Sequence, residues 1–89
     1  MGKIHILNDI HHSTYRVSVE TTGMFETDKY YSLSHGEMES WDRNPSKGRC
    51  TAIIRDASHN PVRTVHLKPD GYTWNLSELL ALQEGAQPR

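Results

Sequence analysis

The chain has 89 residues, 35% of them hydrophobic and 24% charged, with a formal net charge of −1. That is one domain's worth of chain, too short for a second core, and folding should bury roughly 60–65% of its surface. Near-neutral charge excludes a domain-wide basic field for nucleic acid and a densely acidic phosphate mimic, and the mixture of signs argues against disorder.

Ile4 and Ile6 alternate with His5 and Leu7, and Tyr15, Val17 and Val19 alternate with Thr14, Arg16, Ser18 and Glu20. Period-two alternation predicts half-buried strands. A hairpin closed on Asp9-Ile10-His11-His12 sets Ile6 opposite Tyr15 and Ile4 opposite Val17. A second, turning at Thr21-Thr22-Gly23, sets Val19 opposite Phe25 and Arg16 opposite Asp28. Both registers place Ile4, Ile6, Tyr15, Val17, Val19, Phe25, Tyr31 and Leu33 on one apolar face, which a one-residue slip would expose.

Ser34 followed by Glu37 has the form of a capping box, so a short helix through Met38 and Trp41 is expected, ended by Asn44-Pro45. Arg49 to Asp56 and Pro61 to Lys68 then read as a hairpin around Ala57-Ser58-His59-Asn60. Pairing Asp56 with Pro61 turns Cys50, Ala52, Ile54, Arg63, Val65 and Leu67 inward. The outward set is Arg49, Thr51, Ile53, Arg55, Val62, Thr64, His66 and Lys68. Beyond the Pro69-Asp70-Gly71 turn, Asn75 and Glu78 cap a helix with a stripe of Leu76, Leu79, Leu80 and Leu82, and Gly85 stops it. Residues 86–89 read as a frayed tail. The expected architecture is α+β, an antiparallel sheet from hairpins in the order β-β-β-α-β-β-α, helices packed on the sheet, in a single domain over residues 1–89.

One cysteine, Cys50, allows no internal disulfide, and Met1 to Asn8 holds no apolar run of signal-peptide length. The cytoplasm is therefore the expected compartment, and no membrane contact is expected.

Few residues suggest chemistry. Asp9, His11 and His12 are metal-ligand types, but adjacent histidines diverge in extended chain and no paired ligand spacing supports them, so an exposed polar turn is expected and no metal. Cys50 falls on the core face, where a thiol behaves as a small hydrophobe. Trp41 and Trp74 flank expected helices and are assigned to sealing them. No nucleophile elbow or phosphate loop is present, and no cofactor is expected.

Charge is unevenly spread. Residues 43–68 carry Arg43, Lys47, Arg49, Arg55, Arg63 and Lys68 against the single acid Asp56. The outward face of the second hairpin, with Arg49, Arg55, His66 and Lys68 around Ile53 and Val62, is accordingly the expected partner-binding surface. The leading expectation is a non-enzymatic protein-binding module of the kind found among small phage or mobile-element inhibitors and accessory proteins. Two alternatives use the same face: a nucleic-acid-binding domain, and a small metal-independent ribonuclease with His66 as acid or base. The exposed hairpin edge would also serve a homodimer.

Overall fold

In the computed structural model, residues 2–21 and 29–89 are described. The elements are β1 (Gly2–Leu7), β2 (Thr14–Thr21), β3 (Tyr31–Ser34), β4 (Met38–Arg43), a 3₁₀ turn (Pro45–Lys47), β5 (Cys50–Asp56), β6 (Pro61–Leu67), β7 (Thr73–Asn75) and α1 (Leu76–Leu80). The protein is broadly α+β and, among the described residues, mostly strand, with two sheets ordered β4-β1-β7 and β3-β2-β5-β6 and one short helix. Among the described residues no helix is long and apolar enough to cross a membrane.

The first hairpin is not formed. β1 pairs antiparallel with β4, Ile4 opposite Trp41, and parallel with β7, Ile6 opposite Trp74. Asn8 is the cause. Its buried side chain donates from Nδ2 to the Leu33 carbonyl at 2.8 Å, and its Oδ1 accepts from the Ile10 amide at 2.9 Å. An Asx turn of this kind offers the backbone an alternative to a ladder. The Asn8 amide and carbonyl are both tied to the β3–β4 turn, through Glu37 O and Gly36 N. The chain therefore turns a corner at Asn8 and carries β2 into the other sheet.

The expected helix after Ser34 is also absent: Met38–Arg43 is strand β4. The Ser34–Glu37 pair forms as the capping pattern suggests, with the Ser34 amide donating to Glu37 Oε1 at 2.7 Å, but it closes a tight turn. Gly36 at φ +87° turns the chain there, and β1 offers β4 six paired positions that a short glycine-containing helix could not match. Alternation follows, with Trp41 buried and Met38 52% exposed.

β2 pairs with β3 four residues away from the expected register, Tyr15 opposite Leu33 and Val17 opposite Tyr31. The displacement is even, so the same parity faces the core, but Arg16 lies opposite Ser32 rather than Asp28. The expected Val19–Phe25 pair and the Gly23 turn lie outside the described residues.

The second hairpin forms as read, Cys50 opposite Leu67 and Ile54 opposite Arg63, until a bulge shifts Arg55 opposite Pro61. Asp56 closes its turn, with Oδ1 accepting from the amides of Ser58 (2.8 Å) and Asn60 (2.9 Å). Both sheets contribute to one buried cluster: Ile4, Ile6, Trp41 and Trp74 from the first, Val17, Val19, Leu33, Cys50, Ala52, Ile54, Val65 and Leu67 from the second. Burial of this apolar area is the main stabilising term.

Leu76 and Leu79 of α1 complete the cluster, but the helix ends at Leu80, well before Gly85. Its first turn holds the expected Glu78 cap on the Asn75 amide (3.2 Å) and an unexpected one from Asp9, which accepts from the Ser77 amide (2.9 Å) and the Ser77 hydroxyl. Past Leu80 the chain tightens into i→i+3 bonds and then runs along the outer edge of β6. There Thr64 O accepts from Gly85 N (2.7 Å) and Ala86 O accepts from His66 N (2.8 Å). The end read as frayed thus carries contacts, including an Arg89–Asp70 ion pair at 3.0 Å.

Candidate functional site

The β5–β6 hairpin presents its outward face as the alternation requires, but the six residues expected to act together divide along it. Arg49 and Lys68 stand exposed at the open end, and Arg55 lies at the turn end, six residues or roughly 20 Å along the strand. Between them Ile53 is half-buried, and Thr51 Oγ1 lies 3.0 Å from His66 Nδ1. Val62 leaves the set. The bulge at Arg55 breaks the alternation, and Val62 packs against the buried cluster instead.

At the open end, Arg49 and Lys68 border a groove of about 420 Å³ whose wall and floor include Pro45, Cys50, Leu67 and Pro69. Cys50 is 2% exposed at its base, so the groove is bounded by packed core. Its carboxylate, Asp70, is already engaged. The Tyr72 amide donates to it and the Arg89 guanidinium lies beside it, which together hold its pKa below the usual carboxylate value. Arg89 in turn sits over the Tyr72 ring at 4.6 Å. The two exposed cations of the groove are therefore not answered by Asp70.

At the turn end the guanidinium of Arg55 lies 5.1 Å from the centre of the Tyr30 ring, and Tyr30 meets His59 edge-on at 5.6 Å. Arg16, directly across the ladder from Arg55, avoids its like charge by donating to Ala57 O (3.1 Å) and contacting His59 Nε2 (2.8 Å). Arg55 is thus held by an aromatic face and does not join the groove. Neither tryptophan offers a partner anchor, since both are buried.

Comparison with known proteins gives no match: no family model fits the chain, and no curated protein or solved structure matches it. Any functional reading must therefore come from the surfaces themselves.

Sequence reasoning missed two features. Pro45 and Pro69 reach the groove from connections outside the hairpin, so hairpin register alone could not place them. His35 also comes to lie beside His11, with ring centroids 4.0 Å apart, because the β3–β4 turn folds against the β1–β2 loop. Among the described residues no three His, Cys, Asp or Glu side chains are grouped so as to hold a metal ion.

Proposed function

We propose that this chain is a non-enzymatic protein-binding module, whose contact surface is the Arg49–Lys68 groove with the adjoining outward face at Thr51, Ile53 and His66. The observation that carries the reading is an apolar hollow flanked by two exposed cations, with the nearby carboxylate already paired. A partner segment that fits it presents one apolar side chain flanked by Asp or Glu. Burying such an anchor contributes about 1.5–3 kcal/mol, while the rim charges raise association rate and enforce selectivity.

The test is a panel of short peptides carrying an aliphatic or aromatic residue between carboxylates, titrated into the protein and followed by amide chemical shifts. Shifts clustered at Arg49, Cys50, Leu67 and Lys68, lost in the Arg49→Glu/Lys68→Glu double variant, are expected. Affinity capture from the native host with the same variant as control then identifies the partner. Capture of RNA or DNA instead, with retention falling steeply with salt, would replace the protein partner by nucleic acid.

A further inference from the structure

Three connections meet at the turn end of the four-stranded sheet, because Thr14 pairs with Ser34 and Tyr15 with Asp56. The β1–β2 loop brings His11 and His12, the β3–β4 turn brings His35, and the β5–β6 turn brings His59. His11 is central: its ring lies 4.0 Å from His35, tilted by 37°, and 6.3 Å from His12. With Thr14 and Ser34 these three rings line a groove of about 540 Å³. His12 (φ +56°) and His59 (φ +67°) both hold left-handed backbone, a conformation that carries strain for a residue with a Cβ.

Among the described residues, the carboxylates at this end are turned onto donors of their own. Asp9 caps Ser77, Glu37 accepts from the Ser34 amide, and Asp56 accepts from Ser58 and Asn60. Asp9 and Asp56 also act at longer range on His35 and His59, and Arg16 borders the groove through Ala57. What faces the groove is imidazole and hydroxyl. Thr14 Oγ1 and Ser34 Oγ lie 3.1 Å apart, so one donates to the other and the second keeps its proton for a ligand.

Two imidazolium rings at this separation would set like charges about 4 Å apart unless an anion joined them. A tetrahedral dianion offers several acceptor oxygens at once to His11, His35 and the hydroxyl, and it neutralises the pair. We propose that this groove is a binding site for a phosphoryl group, taken up together with a proton. Among the described residues no three His, Cys, Asp or Glu side chains are grouped here to hold a metal ion, which favours an anion over a metal.

The test uses sulfate, a dianion with no titration of its own in the working range, and adenosine monophosphate as the phosphate ester. Imidazole resonances are followed at constant ionic strength at about pH 5.5 and about pH 7.5. Saturable shifts at His11 and His35 are expected, with affinity weaker at the higher pH by up to about a hundredfold, the limit for one proton taken up over two pH units. Adenosine monophosphate should compete for the same shifts. His35→Asn and His11→Asn, confirmed as folded by their amide spectra, should lose the response, and Arg49→Glu should keep it. A response no larger than chloride gives, one independent of pH in the wild-type chain, one surviving His35→Asn, or sulfate binding that adenosine monophosphate does not displace would overturn the proposal.

Discussion

Asn8→Ala should be among the most damaging single substitutions in the chain. Asn8 is 0% exposed, and its side chain donates to Leu33 O and accepts from Ile10 N. Truncation strands both backbone groups, at about 1–3 kcal/mol for each one left buried. The Ile10 bond is only partly buried, so water recovers some of the second loss, and the expected cost is about 2–4 kcal/mol. A chain of this length has a total stability of about 4–13 kcal/mol. At about 4–8 °C per kcal/mol the melting temperature should fall by roughly 8–32 °C. Urea unfolding followed by the fluorescence of the buried Trp41 and Trp74 measures it directly. Asn8→Asp supplies a second arm, because its ionised carboxylate would face the Leu33 carbonyl while its protonated form regains a donor. The folded pKa is then raised, so stability is present below about pH 4 and lost as pH rises through the folded value. A folded Asn8→Ala variant that loses less than about 1 kcal/mol would refute the argument that this side chain directs the corner.

Gly2→Ala should destabilise by about 1–3 kcal/mol, read by the same urea titration, because a Cβ there would fall 1.7 Å from Pro69 O. Cys50 should resist a thiol reagent in the native protein and react fully in denaturant, since it is 2% exposed. Three carboxyls lie below their ordinary values: Asp56 through the Asn60 amide, Asp70 through the Tyr72 amide, and Asp9 because the two Ser77 donors outweigh its partial desolvation. Depressed folded values add stability above the unfolded pKa of about 4, lost as pH falls through them. The urea midpoint should therefore drop from about pH 4 downward, and less so in Asp9→Ala. Truncation after Gln83 strips β6 of its bonds to residues 84–86, and light scattering should then show self-association through that edge.

The β5–β6 hairpin was legible because its partner strands are neighbours in sequence and Asp56 to Pro61 leaves little choice of turn. The inward parity of Ile4, Ile6, Val17, Val19 and Leu33 was legible for a related reason, since period two reports a face. It does not report a neighbour, so nothing in Ile4 or Ile6 announced that β1 would join β4 and β7. The Ser34–Glu37 hydrogen bond serves a helix start and a tight turn equally well, and only the availability of β1 as a pairing partner decides between them. The outward, exposed placement of Arg49 and Lys68 follows from the hairpin register together with their charge. Their separation from Arg55 does not, because a list of outward residues carries no distances, and the Val62 bulge has no signature beyond Pro61. The gathering of His11, His35 and His59 depends on three distant connections folding to one end.

The placement of β1 has a bearing on how the protein is made. β1 lies at the centre of its sheet and precedes both of its neighbours in sequence, β4 and β7, the latter ending at Asn75. During synthesis, at roughly 5–20 residues per second, Ile4 and Ile6 emerge several seconds before their second flank exists. The three-stranded sheet must therefore close late, after the β5–β6 hairpin has had time to assemble from local pairs. Until then β1 has an open edge, and nascent chains crowded on one message would be most prone to cross-pairing there.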